Sequence, residues 1–241
     1  MMMDEGEIAS ANELLGNAPP QEILRWAVKR FHPRLLMATA FGAEGCCIIH
    51  MLSEIEKGVK LINLETGYQF PETLALRETI RERYGMTVEY ILPDTTVSEY
   101  EKLNNGPLYE VNPDQCCFDR KVRPLKAAME RIDPLAWISA IRKDQTVNRA
   151  ANAGVIQWDA KFKVVKVNPL LNWNKGQVWK FILDNDVPYN ELHDRGFPSI
   201  GCWPCTRATR PGEDDRAGRW AGQAKKECGL HVIDEKEGSG I

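Results

Sequence analysis

Short apolar runs alternate along this chain with longer segments whose apolar residues recur at helical spacing. Four runs are typical of strands: RLLMATA, VKLINL, MTVEYILP and AWISAIR. Helical patterns separate them, as in residues 20–31, CCIIHMLSEIE, RKVRPLKAAMER and FPETLALRETIRERYG, where Pro71 lies in the first turn and Gly85 ends the helix. Strands that alternate with helices favour a parallel sheet. The sequence therefore predicts an α/β fold, a mostly parallel sheet with helices on both faces.

The remaining segments predict how this fold is framed. A hairpin or edge ribbon, with its turn near DAK, is indicated by VIQWDAKFKVVKVNPL, and another helix is indicated by NKGQVWKFILDND. A polar, turn-rich segment is VSEYEKLNNGPLYEVNPDQCC. Periodicity is lost from about Gly196. We expect a poorly anchored N-terminal arm at residues 1–20, an α/β domain at 21–200 and a C-terminal segment at 201–241 that ends in a mobile tail.

The charge balance excludes several classes of protein. Lys and Arg number 31 and Asp and Glu number 34, so the net charge is -3. This balance gives no electrostatic reason to bind bulk nucleic acid or a membrane surface, although a small anion needs only a local basic pocket. No apolar stretch approaches the ~20 residues of a membrane helix. The first twenty residues are acidic and lack the apolar core of a secretory signal, so we expect a cytoplasmic protein.

Seven cysteines in a reducing compartment suggest metal or redox chemistry. DQCCFDRK contains Cys116 and Cys117, and GCWPCTR contains Cys202 and Cys205. Two such pairs predict a four-thiolate metal site, although the second pair alone would also fit a zinc half-site or a redox pair. Because adjacent cysteines chelate one tetrahedral ion poorly, a [4Fe–4S] cluster is favoured over zinc.

The other three cysteines divide into two groups. Cys46 and Cys47 lie in an apolar helical pattern and are interpreted as small buried hydrophobic residues. Cys228 stands apart in KKECGLH, among two lysines and His231, which would favour its thiolate. Its sequence fits equally well a swinging nucleophile and a frayed tail without a role.

Two features indicate an anion site. ATAFGAEG follows the first strand and precedes a helix, although it matches no standard phosphate-loop pattern and would also fit an ordinary tight turn. Basic residues follow the cysteine pairs or end the fourth strand: Arg120, Lys121, Arg142, Lys143, Arg207, Arg210, Arg216 and Arg219. Ligands of such sheets bind at the carboxyl ends of the strands. We therefore expect a small anionic nucleotide there.

Taken together, these motifs resemble the iron–sulfur branch of the assimilatory adenylylsulfate (APS) reductases, in the PAPS reductase family of the PP-loop superfamily. The resemblance runs from about Leu35 to His231 and is carried by LETGYQFPET, CCFDRKVRPL, AIRKDQT, GCWPCTR, PGEDDRAGRW and KECGLH. It implies the adenine nucleotide alpha-hydrolase-like (PP-loop) fold. It also implies cluster ligands at Cys116, Cys117, Cys202 and Cys205.

The resemblance further implies a reaction, that of a thioredoxin-dependent adenylyl-sulfate reductase. Cys228 would attack the sulfur of APS, AMP would leave, and the resulting S-sulfocysteine would be released as sulfite by thioredoxin or a related dithiol protein. Such a reaction belongs to assimilatory sulfate reduction, which feeds cysteine biosynthesis. A homo-oligomer is left open.

Site residues follow by motif. Catalytic roles fall to Cys228, His231 and Lys121. The loop after the first strand, implied to bind substrate, supplies Thr39, Phe41, Gly42, Ala43, Glu44 and Gly45. The segment implied to contact adenine supplies Leu64, Glu65, Thr66 and Gly67. The residues implied to lie near phosphate and sulfate are Arg120, Lys121, Arg142, Arg216 and Arg219.

One departure and three alternatives accompany this resemblance. Many members have a serine-rich PP-loop, whereas this turn has Thr39 as its only hydroxyl, so backbone amides would carry more of the anion binding. The alternatives are a reductase of PAPS or of both nucleotides, a PP-loop sulfur transferase acting on tRNA, and a non-enzymatic zinc-stapled binding module. The absence of a basic stripe disfavours the tRNA enzyme.

Overall fold

A computed structural model of the protein describes residues 3–223 together with Lys225 and Leu230. Its six strands are β1 Leu35–Ala38, β2 Lys60–Leu64, β3 Val88–Ile91, β4 Ala136–Ile138, β5 Ile156–Asp159 and β6 Val164–Val167. They form one sheet in the order β3-β2-β1-β4-β6-β5. Every pairing is parallel except that of β5 with β6. The predicted α/β class, parallel sheet and hairpin are therefore confirmed.

The described helices are α1 Glu5–Leu15, α2 Pro20–Phe31, α3 Ala43–Ile55, α4 Pro71–Tyr84, α5 Val97–Leu103, α6 Leu108–Val111, α7 Pro113–Cys117, α8 Arg123–Ile132, α9 Val147–Asn152 and α10 Lys175–Asp184. A π-helical turn, Phe118–Val122, joins α7 to α8, and 3-10 turns lie at Lys143–Gln145, Glu191–His193 and Trp203–Cys205. Among these helices, none combines the length and apolar character needed to cross a bilayer.

Alternate side chains of the central strands bury against helices on opposite faces of the sheet. Leu35 and Met37 belong to a large core that includes residues of α1, α2, α3, α4 and α10, whereas Leu36 belongs to a smaller core with residues of α8. This alternation follows from the two-residue period of a strand. Because both faces of the sheet are covered at its centre, β1 and β4 contain only apolar residues, as buried parallel strands do.

The N-terminal residues are not the poorly anchored arm expected from the sequence. Asp4 caps α1 in a capping box with Glu7, and Ala11 is buried in the large core. Asn12 donates to the carbonyl of Ile156 at 2.6 Å and accepts from its amide at 3.0 Å. The expectation fails because composition cannot show these contacts. The side chain of Asn12 pairs with both the N–H and the C=O of Ile156, a residue of the edge strand β5. Residues 232–241 lie outside the described part.

Candidate active site

A cavity of about 370 Å³ lies at the carboxyl ends of the parallel strands. Four stretches form most of its wall: residues 38–45 after β1, 63–69 after β2, 137–145 around the end of β4, and 193–219 in the irregular C-terminal part. The first three are adjacent because β1, β2 and β4 are neighbours in one parallel sheet. The position is where ligands bind in open α/β sheets.

The loop between β1 and α3 is built around the hydroxyl of Thr39. That hydroxyl accepts a hydrogen bond from the amide of Phe41 at 3.0 Å, and Phe41 has a left-handed backbone, φ 54°. A Cβ at Gly45 would lie 2.8 Å from the same oxygen, so only glycine leaves room for it. Thr39, Gly42, Ala43, Glu44 and Gly45 line the cavity, whereas Phe41 is buried in the large core. The structure therefore does not bring the Phe41 side chain to the predicted substrate site.

The segment after β2 is divided between cavity and scaffold. Leu64 and Thr66 line the cavity, but Glu65 and Gly67 do not. The Glu65 carboxylate accepts from the amide of Gly67 at 2.9 Å and pairs with Arg77 at 3.6 Å. Gly67 has φ 77°, a left-handed conformation that glycine adopts without penalty. Glu65 and Gly67 thus shape the turn rather than reach the cavity.

Arg142 lies in the cavity wall and is only 6% exposed. Its Nη1 lies 2.6 Å from the Glu44 carboxylate and its Nε 2.9 Å from Asp144. Two carboxylates therefore balance the one guanidinium. The pair with Glu44 ties the loop after β4 to the start of α3.

Arg120, by contrast, does not line the cavity. Its buried guanidinium donates to the carbonyls of Thr66 at 2.6 Å and Thr95 at 3.3 Å. The rings of Tyr68 and Tyr100 lie 5.4 and 5.0 Å from it. With its donors held by backbone carbonyls, Arg120 braces two loops, which is not the anion contact that its motif implies.

Three other predicted cations line the cavity: Lys121, Arg216 and Arg219. The Arg219 Nη1 lies 3.4 Å from the Ser199 hydroxyl and 3.3 Å from the carbonyl of Ile200. Its guanidinium lies over the ring of Trp220 at 4.4 Å. With Arg142, Arg149 and Lys175 they outnumber the carboxylates of the lining, which are Glu44, Asp144, Asp214 and Asp215, and this excess of basic groups suits an anion.

The four cysteines predicted as ligands line one small pocket next to the cavity. Cys116 and Cys117 are buried, while Cys202 and Cys205 are half-buried. The chain after Cys202 is fixed beside the β2–α4 loop, because the amide of Trp203 donates to the carbonyl of Tyr68 at 2.8 Å. The shared pocket places Cys202 beside Cys117, 85 positions earlier in the sequence.

The charges of these thiols also affect one another's pKa, as expected for neighbours. Burial raises the pKa of Cys116 to about 12, with further increases from the charges of Cys202 and Cys205, while Lys121 and Arg120 lower it. Burial and Cys202 likewise raise the pKa of Cys205. Thiolates placed so close together repel each other unless a cation lies among them. The donor set therefore fits a thiolate-bound metal group.

Within the described part of the chain, no three histidine, cysteine or carboxylate side chains are grouped as a site for a metal ion. The case for a metal group thus depends on the shared pocket and on the chemistry of the four donors. Thr66, Lys121 and Cys202 line both the cysteine pocket and the cavity, so the two share a wall.

Cys228 and His231 lie outside the described residues. Leu230, which follows Cys228 by two positions, lines the cavity and packs against the smaller core. Lys225 forms an ion pair with Asp114 of α7. Cys46 and Cys47 are buried in the large core, as predicted, and do not line the cavity or the cysteine pocket.

Several cavity residues were not predicted from the sequence. They include Asn63, Gln69, Ser139, Lys175, Trp179, His193, Asp214 and Asp215. Asn63 donates to the carbonyl of Thr39 at 2.8 Å, and Gln69 donates to Asn63 at 2.8 Å. Ser139 directly follows β4, so the rule that ligands bind at strand ends would have identified it. Gln69, Asp214 and Asp215 lie inside motifs that carry the resemblance, although it implies no role for them, whereas Lys175, Trp179 and His193 lie in none of these motifs.

Comparisons with known proteins agree with one another on the class of protein. The model of the phosphoadenosine phosphosulfate reductase domain matches residues 34–208. An adenosine 5'-phosphosulfate reductase of Oceanobacillus iheyensis is 42% identical over 214 residues, 88% of each chain. A phosphoadenosine 5'-phosphosulfate reductase of Gloeobacter violaceus is 43% identical over 216 residues, again 88% of each chain. The crystal structure of a phosphoadenylyl-sulfate (PAPS) reductase from Candida auris, in a phosphate complex, matches with a TM-score of 0.78 and 35% identity, over 86% of this chain and 99% of that one.

Proposed function

The chain belongs to the phosphoadenosine phosphosulfate reductase domain family, and from this membership we propose that it reduces adenosine 5'-phosphosulfate (APS) to sulfite and AMP in sulfate assimilation. The observation that carries the proposal is the match to proteins named adenosine 5'-phosphosulfate reductase, about 40% identical over 88–95% of the chain. The cavity supports it, because it lies at the strand ends and basic residues outnumber acidic ones in its lining, which suits a nucleotide phosphosulfate.

The proposed chemistry has two displacements. The Cys228 thiolate attacks the sulfur of APS, a new S–S bond forms, and the S–O bond to AMP breaks as AMP leaves. A dithiol protein such as thioredoxin then attacks the Cys228 sulfur and releases sulfite. Its second thiol closes a disulfide and returns the Cys228 thiol, so the two electrons come from the dithiol. Splitting one difficult reduction into two steps is the usual benefit of covalent catalysis.

The cavity residues have distinct parts in this proposal. Backbone amides at the start of α3, after Thr39, would hold the phosphate, as helix N-termini do. Lys121, Arg216 and Arg219 would offset the negative charge that builds up as the thiolate meets the sulfate. His231 would lie in the segment that carries Cys228. Leu230 lines the cavity, which supports placing the segment with Cys228 and His231 beside the substrate.

We further propose that Cys116, Cys117, Cys202 and Cys205 hold a [4Fe–4S] cluster. Their shared pocket and mutual electrostatic effect support this assignment. When bound, the cluster would fix the two cysteine segments and set the electrostatic field beside the cavity. Lys121 lines both sites and would link that field to the substrate.

The mass of the intact protein tests the nucleophile. Incubation with APS in the absence of a dithiol should add one SO3 unit. Cys228→Ser should lose the adduct, whereas Cys47→Ser should keep it, because Cys47 is buried away from the cavity. An adduct that persists in Cys228→Ser would refute the assignment of the nucleophile.

The cluster has its own test. Protein purified without oxygen should be brown and contain iron and sulfide, and Cys116→Ser should reduce both. A colourless zinc protein with no activity on APS would instead support the zinc-stapled binding module.

A specificity for PAPS is the second candidate, because the Gloeobacter violaceus relative and the Candida auris structure are named for it. The ratio of kcat/KM for APS to that for PAPS decides between them, and we expect it to favour APS. A cytoplasmic location, the domain division at residues 20 and 200, and any homo-oligomer remain predictions.

A further inference from the structure

His193 is a cavity residue that no motif identifies. It ends the 3-10 turn Glu191–His193, which follows α10, and its side chain lines the cavity. Its ring packs edge-on against Trp179, with ring centroids 5.2 Å apart and an interplanar angle of 85°. The imidazole is therefore held by an aromatic neighbour rather than extended into solvent.

Neither ring nitrogen of His193 has a side-chain hydrogen-bond partner among the described residues, and the one backbone group that acts on the buried ring, that of Phe197, makes no hydrogen bond of full geometry. A buried polar atom without a partner is destabilising, and native proteins retain few of them. A ligand in the cavity that the ring lines would supply what the protein does not.

His50 provides a comparison within the same chain. It is also half-buried and packs edge-on against Tyr84 and Phe181. Its Nδ1, however, lies 3.2 Å from the Tyr84 hydroxyl, and it does not line the cavity. His50 thus finds a side-chain partner inside the protein, whereas His193 finds none among the described residues.

The surroundings favour the neutral form of the His193 ring. Burial lowers its pKa, and the charge of Lys175 lowers it further, although the charges of Glu44 and Asp194 and a hydrogen bond with the backbone of Phe197 raise it. A neutral imidazole offers one N–H donor and one acceptor nitrogen. It can therefore donate to an oxygen without adding charge to the site.

We propose that His193 contacts the bound nucleotide directly, donating a ring N–H to an oxygen of its phosphate or ribose. The inference rests on the proposed function, since it assumes an adenine nucleotide in this cavity. His193 would be a binding residue additional to those implied by the motifs.

NMR of ¹⁵N-labelled histidine tests the contact in the unmodified protein. The chain has four histidines, so the imidazole signals are few, and His193→Gln identifies the relevant one. AMP should shift the His193 signals strongly and those of His50 little. If the His193 signals stay in place at saturating AMP, the contact does not exist.

Binding and kinetics of variants give an independent measurement. His193→Phe keeps an aromatic ring beside Trp179 but removes both nitrogens. It should raise the Kd for AMP and the KM for APS by roughly 5- to 30-fold, the value of one hydrogen bond. His193→Asn should recover part of that loss. His50→Phe is the matched control and should leave the Kd unchanged even if Tm falls.

The outcomes separate this inference from the proposed function. A lower Tm in His193→Phe with unchanged Kd and KM would show a structural residue and overturn the inference. Measuring the Kd of adenosine as well shows which oxygen His193 contacts. An equal loss of affinity for adenosine and AMP in His193→Phe indicates a ribose oxygen, and a loss confined to AMP indicates a phosphate oxygen. If wild-type protein binds neither AMP nor APS, the proposed function itself fails.

Discussion

At the scale of single residues, the position of the Arg219 side chain in the cavity wall depends on its close approach to the backbone of Gly201. Arg219 lies against Gly201: a Cβ built on Gly201 would be 2.2 Å from Arg219 Nη2. The backbone of Gly201 is not left-handed, so its absent side chain, rather than its conformational freedom, is what matters. The glycine before Cys202 in GCWPCTR thereby sets the position of a cation in the site.

Gly201→Ala should therefore affect catalysis more than stability. The methyl group displaces only the end of a flexible side chain, so we expect Tm to change little while kcat/KM for APS falls roughly 10-fold, as for a lost charged hydrogen bond. Gly201→Ala combined with Arg219→Ala should be no worse than Arg219→Ala alone. Additive losses in this double-mutant cycle would show that Gly201 acts through something other than Arg219.

The buried thiol of Cys47 predicts a dependence of stability on pH. Burial raises its pKa to about 12, against roughly 8.5 in an unfolded chain. Because the folded pKa is the higher one, the stabilisation is complete below pH ~8.5 and declines above it, by up to about 1.4 kcal/mol per pH unit. The difference in unfolding free energy between wild type and Cys47→Ala, measured in urea, should shrink between pH 7.5 and pH 10. A constant difference would contradict the raised pKa.

Some residues of the candidate site could be predicted from the sequence and others could not. The four cysteines and Thr39 could be identified because their chemistry is unusual and their spacing is informative. Arg120 was assigned to the substrate because an arginine beside a cysteine pair suggests anion binding, yet backbone carbonyls hold its donors. His193 was missed because a single histidine in an irregular segment carries no pattern.

At the scale of elements, long periodic segments were predicted well and short ones were not. The bounds of α2 and α4 match their patterns, including Pro71 at the start and the left-handed Gly85 at the end of α4. The polar middle segment instead contains α5, α6 and α7, of four to seven residues each. Local caps specify them, such as the capping box of Thr96 with Glu99, and helices this short show no amphipathic period.

The π-helical turn Phe118–Val122 was also beyond prediction, since it widens the backbone between α7 and α8 without a sequence signature. It lies between the cysteine pair and α8 and carries both Arg120 and Lys121. Of these two, Lys121 lines the cavity, while Arg120 bonds to the loops after β2 and β3. The turn thus connects the cysteine pocket to the loops after β2 and β3.

Arg120→Lys should weaken this connection. Lysine keeps the charge but cannot reproduce the donor pair or the planar contact with Tyr68 and Tyr100, so we expect a loss of about 1.5–3 kcal/mol in unfolding free energy. Arg123→Lys is the matched control. Its side chain is half exposed and its ion pairs are 3.7–3.9 Å long, so it should change stability by less than about 0.5 kcal/mol. Equal effects would refute the bracing role of Arg120.

At the scale of the whole molecule, the sheet order explains why residues far apart in sequence share one site. Placing β1 between β2 and β4 brings three loops to one edge, and the irregular segment around Cys202 closes the fourth side. Hydrophobic periodicity predicted the sheet and hence that edge. It did not predict the fourth wall, because residues 193–219 are held by turns and single hydrogen bonds that leave no periodic trace.

This arrangement separates nucleotide binding from the proposed nucleophile. Apart from Leu230, the described cavity wall comes from residues 38–219, so AMP should bind without the Cys228 thiol. At ~100 times its Kd, AMP should stabilise the protein by about 2.7 kcal/mol, a Tm increase of roughly 5–11 °C for a chain of this size. Thermal unfolding should show the same increase in Cys228→Ser, although that variant forms no SO3 adduct. If Cys228→Ser lost the AMP-induced increase, binding and bond formation would have to share the same segment, and the strand-end cavity would not by itself be the nucleotide site.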